Sequence, residues 1–292
     1  MPLTPPPVKG RLGLIAGSGS LPILFARQMR LTSDVALVAV AHRGETDAGL
    51  AEWVDDLLWV HLGQFQRIIR FLTEQRVEQV VMLGGINKTR IWHIRPDALA
   101  LRLVTRLRHL HDDLLLRAIA QEFEQRGMQV RGIGELIPQL LSPPGCLTRC
   151  QPTMAQWIDI RIGWHAAQQL GQLDIGQGVV IHDRVVIAVE AIEGTDAMIR
   201  RAGTLLANPS RAATEMRGAC VKVAKPIQDE RLDLPTVGPG TIEALHQAGI
   251  GALAVEAGRT LILDLAQTIQ MADRYGMVLF GCTGKEGELL SS

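Results

Sequence analysis

Arg11-Leu12-Gly13-Leu14-Ile15-Ala16-Gly17-Ser18-Gly19 decides the fold class. Its first six residues form an almost continuous apolar run, which a strand buried on both faces requires. Glycines follow at once, and Leu21–Met29 then reads as a helix, with Pro22 tolerated in its first turn. A second apolar run, Val35–Ala41, completes a β-α-β unit. Further buried strands are expected at Leu57–His61 and Val77–Leu83, with a helix over Phe65–Gln75 between them. Strands that alternate with helices imply a parallel sheet. Leu99–Arg126 has helical spacing and stops at Gly127.

Working outward, the texture changes between Glu135 and Pro152, where Pro138, Pro143, Pro144, Gly145 and Pro152 crowd together. A domain junction belongs there. Beyond it, helices are expected over Met154–Leu170, Asp196–Leu206, Thr241–Ala248 and Thr268–Tyr275. Strands are expected at Ala219–Val223 and Met277–Phe280. Gly178–Val189 reads as a hairpin turning at His182–Arg184, and Leu253–Leu263 as another. At 292 residues the chain is long for one domain and comfortable for two. The fold class is therefore two α/β domains. Residues 1–140 form a Rossmann-like nucleotide- or phosphate-binding domain with a parallel sheet, and residues 141–292 a catalytic domain with a mixed sheet.

Composition removes several function classes. Lys+Arg and Asp+Glu number 30 each, so no basic excess points to nucleic acid. Met1–Gly10 lacks the apolar core of a signal peptide, and no stretch approaches the ~18 apolar residues of a membrane helix. Cys146, Cys150, Cys220 and Cys282 are too few and too scattered for a disulfide framework, and reduced structural thiols in a cytoplasmic protein are expected.

Gly17-Ser18-Gly19 stands where a strand hands over to a helix, the place where backbone amides favour an anion and glycine lets a phosphate approach. A dinucleotide fingerprint would want a third glycine where Pro22 stands. Ala41-His42-Arg43-Gly44 also lacks the acid that would hold a ribose, which disfavours NAD. Gly84-Gly85 ends another buried strand, with Asn87 and Lys88 next as ribose or phosphate ligands or as a solvated turn. Asp112-Asp113 before an apolar helical stretch is a cap or a site carboxylate. Glu190, Glu193 and Asp196 flank Gly194-Thr195 at a strand-to-helix turn. Carboxylates so placed suit helix capping or a hard cation such as Mg²⁺.

The least ordinary stretch runs from Lys222 to Gly240. It combines Lys222, Lys225, Gln228, three acids and Arg231 with prolines that stiffen an irregular loop. Loops of that length inside compact domains usually do something. Lysine with arginine can neutralise a diphosphate, while carboxylates hold a cation and orient water.

Here a resemblance becomes specific. Lys225-Pro226-x-Gln228 followed by Arg231-x-Asp233-Leu234-Pro235-Thr236-x-Gly238 is similar to the signature of the LpxI family, the UDP-2,3-diacylglucosamine pyrophosphatases of lipid A biosynthesis. The likeness extends through Leu173–Gly178, Val189–Arg201 and Val255–Gly258, and to Leu12–Pro22 at the front. Two departures lie in the first domain. His111 stands where the family often has glycine, and Lys88-Thr89-Arg90 where it often has Arg-Pro.

The resemblance implies Mg²⁺-dependent hydrolysis of UDP-2,3-diacylglucosamine to UMP and 2,3-diacylglucosamine 1-phosphate (lipid X). It makes Asp233 essential, as metal ligand or as the group that orients water. Asp196 is expected to act with it, and Glu193 to complete the metal set. It also places Asp112, Gln177 and the glycine loop among the substrate contacts. Thr195, Lys222, Lys225, Gln228 and Thr236 are expected to join them. Two acyl chains call for an apolar cleft near the domain junction and for transient contact with the inner face of the inner membrane. The oligomeric state is left open, a homodimer being one option. The rival from another class is a nucleotide-sugar-binding or sensor protein without turnover, which would need basic and amide groups but no rigid carboxylate at the phosphates.

Overall fold

The computed structural model describes residues 10–86, 96–106, 112–207, 216–226 and 228–283. They form two compact units. The first contains the described residues up to Pro138 together with Asp229–Asp233; the second contains Gln139–Gln228 and the described residues from Leu234 onward.

In the first unit the order is β1 (Arg11–Ala16), α1 (Leu21–Thr32), β2 (Ala36–His42), a 3-10 turn (Ala48–Trp53), β3 (Asp56–Val60), α2 (Phe65–Glu74) and β4 (Val77–Leu83). Then come α3 (Ala98–Arg106), α4 (Asp112–Glu124), β5 (Gln129–Val130) and the short α5 (Ile133–Leu136). The one helical stretch expected over Leu99–Arg126 is thus described as α3 and α4, with residues 107–111 outside the described residues. The sheet order is β3-β2-β1-β4-β5 and every pairing is parallel. The chain builds one way from β1 to β3, then returns to add β4 and β5 on the other side. The carboxyl ends of β1 and β4 therefore flank a topological switch point, where open α/β sheets bind ligands. One face packs Val38, Val40, Val80 and Met82 under α2 and α4, whose Phe65 and Phe123 rings meet edge-on at 5.4 Å. Phe25, Ala26 and Met29 are the buried face of α1.

The second unit runs β6 (Gly145–Cys146), α6 (Met154–Gln172), β7 (Gly178–His182), β8 (Val185–Val189), α7 (Thr195–Leu206), β9 (Arg217–Lys222) and β10 (Thr236–Val237). It continues with α8 (Pro239–Gln247), β11 (Ile250–Glu256), β12 (Leu261–Ile262), α9 (Leu265–Arg274) and β13 (Val278–Cys282). Its six-stranded sheet has the order β6-β13-β11-β9-β7-β8. The three middle strands are parallel, and β6, β7 and β8 join antiparallel, so the sheet is mixed as the sequence implies. Helix α6 starts on a capping box, with Thr153 Oγ1 accepting from the Gln156 amide at 3.2 Å and Gln156 Oε1 accepting from the Thr153 amide at 2.9 Å.

The hairpin expected at Leu253–Leu263 does not form. β11 lies between β9 and β13 and is buried along its whole length, so neither of its edges is open to a returning strand. The chain turns away instead, and β12 pairs in parallel with β10, Leu261 N–H donating to Pro235 O at 2.8 Å. The Gly178–Val189 hairpin does form, as β7 and β8.

Gly163 marks where α6 presses closest on the sheet. A Cβ there would run into Ile181 Cδ1 and stand 2.7 Å from Val221 Cγ2, a branched side chain with nowhere to move. We expect Gly163→Ala to cost about 1–3 kcal/mol through overpacking. Urea denaturation that shows no loss would mean the sheet relaxes around the methyl group.

Candidate functional site

At the switch point of the first unit the two glycine turns bond to each other. Gly17 N–H donates to Leu83 O at 2.8 Å, and Ser18 N–H to Gly85 O at 2.7 Å. In return Gly85 N–H donates to Ser18 O at 3.2 Å, and the Ser18 hydroxyl adds a bond to Gly85 O at 2.9 Å. A Cβ on Gly17 would collide with the Gly85 carbonyl, and one on Gly84, whose φ is +87°, would sit 2.5 Å from Ser18 O. Only glycine permits this approach. The amides of Ser18 and Gly85 are therefore engaged. By helix geometry the donors left over are those of the first turn of α1, where Pro22 supplies none and N-cap Ser20 makes no side-chain capping bond. Gly19 adds a left-handed turn with φ +90° and open space around its Cα. This is an anion-binding geometry.

A residue that no sequence motif singles out lies beneath this turn. His42 Nδ1 lies 2.9 Å from Ala16 O. A carbonyl only accepts, so that nitrogen carries the proton. Thr46 Oγ1 donates to the same oxygen at 2.6 Å and accepts from His42 N–H at 2.9 Å. Burial holds the imidazole below its ordinary pKa of 6.5, against the opposing pull of the Ala16 carbonyl and Glu45. A polar residue closing a buried strand was the available signal.

Asn87, Lys88 and His111 lie outside the described residues, as does the Asp112 side chain.

Asp229–Asp233 docks at the far side of the same unit. Leu232 enters its core, 7% exposed, among residues that include Phe65, Met128 and Val130. Gly132, immediately after β5, admits the segment, since a Cβ there would lie 3.2 Å from Arg231 Cα. The end of β5 is held by buried Arg131, which donates to Glu135 Oε2 at 2.6 Å and Gln79 Oε1 at 2.7 Å. β5 is two strands from β1, a separation of about 10 Å at the usual sheet spacing. The segment thus reaches the carboxyl edge of the sheet that carries the glycine turns. Asp233 itself is exposed.

In the second unit a buried chain of charges ties three expected residues together. Lys222 Nζ donates to Thr195 Oγ1 at 2.9 Å and to Thr236 O at 3.0 Å, and Thr195 donates in turn to Glu190 Oε1 at 2.7 Å. Lys222 and Glu190 are 6% and 7% exposed, so each offsets the other's desolvation through the threonine hydroxyl. Thr236 takes part through its main chain, its hydroxyl donating to Leu234 O at 3.1 Å. Among the described residues, Glu190 Oε2 and Gln177 Oε1 are buried acceptors with no hydrogen-bond donor. Lys225 is paired with Asp174 at 2.6 Å, and Gln228 Oε1 accepts from the Lys225 amide at 3.3 Å. Glu193 is held below the usual carboxylate range by its own backbone N–H and by Arg201, which donates to it at 2.6 Å. Asp196 is exposed in the first turn of α7, which begins on Gly194 without a side-chain cap. Among the described residues, no three His, Cys, Asp or Glu side chains group to hold a metal ion.

Comparison with known proteins follows the two units. Residues 11–140 match the LpxI N-terminal domain and residues 143–280 the LpxI C-terminal domain. The chain is similar to the UDP-2,3-diacylglucosamine pyrophosphatase LpxI of Caulobacter vibrioides, with 34% identity over 279 residues that cover 94% of this chain and 99% of that one. Among solved structures, the biotin carboxylase subunit of pyruvate carboxylase aligns at 13% identity and TM-score 0.27, over 59% of this chain and 35% of that one. The biotin carboxylase domain of the Hydrogenobacter thermophilus 2-oxoglutarate carboxylase aligns at 11% and 0.27, over 60% and 35%. The chain spans about a third of those carboxylase chains.

The buried His42 has a consequence for acid stability. Because its folded pKa is lowered, the unfolded chain takes up the proton first as pH falls from about 6.5, and the folded state loses stability through that window. His42→Asn keeps a donor for Ala16 O and cannot titrate. The stability advantage of the parent over this variant should shrink between pH 7.5 and 5.5 in thermal melts; parallel curves would contradict the assignment.

Proposed function

The chain belongs to the LpxI family, and on that premise we propose that it hydrolyses the diphosphate of UDP-2,3-diacylglucosamine in lipid A biosynthesis. The observation that carries this reading is a family match that runs through both units and takes in Asp229–Asp233. Water adds to one phosphorus, the P–O–P bond breaks, and two monoesters leave as UMP and 2,3-diacylglucosamine 1-phosphate, with two protons released when both are dianions.

The chain's own groups divide the work by chemistry. The uncapped amides at the start of α1 favour a phosphate oxygen and stabilise charge that grows on it. The Glu190–Thr195–Lys222 chain fixes the first turn of α7 and the strand end at Thr236. Asp233 is assigned to the reacting water or to a cation.

Mg²⁺ is the implied cofactor, and the donor set fits it in part. Asp233 in the first unit and Asp196 in the second are both carboxylates of the hard, oxygen-donating kind that Mg²⁺ prefers, and either one would serve; Glu193 pairs with Arg201. One or two carboxylates suffice, since Mg²⁺ usually completes its shell with water and substrate phosphates. Bound there, it would neutralise developing charge on the phosphoryl oxygens.

No helix among the described residues is long and apolar enough to cross a membrane. Since the substrate's two acyl chains reside in a leaflet, we place the enzyme in the cytoplasm, in transient contact with the inner face of the inner membrane.

Purified protein given UDP-2,3-diacylglucosamine and Mg²⁺ should release UMP. Asp233→Ala should still bind substrate while UMP release falls at least about 100-fold, the scale of losing a group that acts in the transition state. A variant that turns over normally would remove Asp233 from the chemistry. EDTA should abolish the reaction and excess Mg²⁺ restore it; an unchanged rate in EDTA would take the metal out of the mechanism.

A further inference from the structure

The geometry points to Arg231 as the positioning residue that fixes where Asp233 stands, an inference that rests on the reading of Asp233 as a catalytic group. A basic residue beside a diphosphate-cleaving loop suggests a phosphate ligand, and the sequence alone favours that role. The structure commits Arg231 elsewhere. Its Nε and Nη2 donate to the two oxygens of Asp229 at 3.0 and 2.7 Å, the two-pronged geometry in which guanidinium and carboxylate match best. Its own backbone N–H adds a bond to Asp229 Oδ1 at 3.1 Å. The remaining prong, Nη1, donates to Glu124 Oε1 at 2.8 Å, at the end of α4.

One cation is thus held between two carboxylates, and the main chain closes around the same centre. Leu232 N–H and Asp233 N–H donate to Asp229 O at 2.9 and 3.3 Å, so residues 229–233 form one tight turn. Leu232 is buried in the core of the first unit. Asp233 follows directly on an ion-paired residue and an apolar anchor. Its exposed carboxylate is therefore presented from a fixed backbone although no element of regular structure carries it. A lysine would keep the charge and lose the fork.

Losing a group that orients a catalytic residue typically costs about 10–100-fold. In UMP-release assays Arg231→Ala should lower kcat by that factor with KM for UDP-2,3-diacylglucosamine within about twofold, and Arg231→Lys should recover only part of the loss. Arg70→Ala, which removes an exposed pair with Glu74 on α2, serves as the unchanged control. Asp233→Ala is measured alongside. If that variant keeps its turnover, the catalytic reading of Asp233 fails. If it is dead while both Arg231 variants keep kcat within about twofold of the parent, or lose activity through KM alone, the positioning role is overturned. Should Arg231→Ala not fold, Arg231→Lys carries the test with the same two outcomes.

Discussion

Backbone pairing between the two glycine turns is the constraint from which the first unit's site follows. Ser18 and Gly85 exchange main-chain bonds just past the ends of β1 and β4, where a parallel ladder would otherwise open. The exchange requires that neither Gly17 nor Gly84 carry a Cβ. It also settles which amides remain for a ligand, because two of the loop's own donors are consumed in closing it. The helix that follows then begins without a side-chain cap from Ser20. A glycine-rich loop can be a ligand cradle or a tight main-chain junction, and here the second role creates the first one's geometry.

The second unit answers a different problem, that of burying charge. Lys222 and Glu190 are both almost fully enclosed and do not touch, the Thr195 hydroxyl standing between them as acceptor from one and donor to the other. Such a chain has a direction. Moving any member leaves a buried charge unmatched, so the start of α7 and the strand end at Thr236 are fixed together. Glu193, only three residues on, takes no part; it is spent on Arg201 at the surface.

Much of the fold was legible because buried parallel strands leave an unambiguous mark. Arg11–Ala16 and Val77–Leu83 were read with the bounds that the structure gives them. β5, at two residues, is too short to show any periodicity. The reading of Leu253–Leu263 as a hairpin failed because adjacency in sequence was taken for adjacency in the sheet, whereas β11 already had a neighbour on each side. Less legible were the partners of the residues expected at the site. Lys222 and Arg231 were read as cations for a diphosphate, yet both are committed to internal carboxylates or carbonyls. The partners of Lys222 lie 14 and 27 residues away and Glu124 lies 107 residues from Arg231, beyond the range of any local pattern, whereas Asp229 is only two residues from Arg231.

Leu232 has a further meaning for how the protein can be taken apart. A gene cut at the proline-rich junction looks natural, since the two family matches meet between residues 140 and 143. The hydrophobic interior does not respect that border: the amino-terminal half borrows one of its packing residues, Leu232, from 94 positions past its end at Pro138. Expressed alone, that half would carry a leucine-sized void beside Phe65 and Val130. Recombining halves from distant relatives would require the borrowed side chain and its host cavity to be exchanged as a pair.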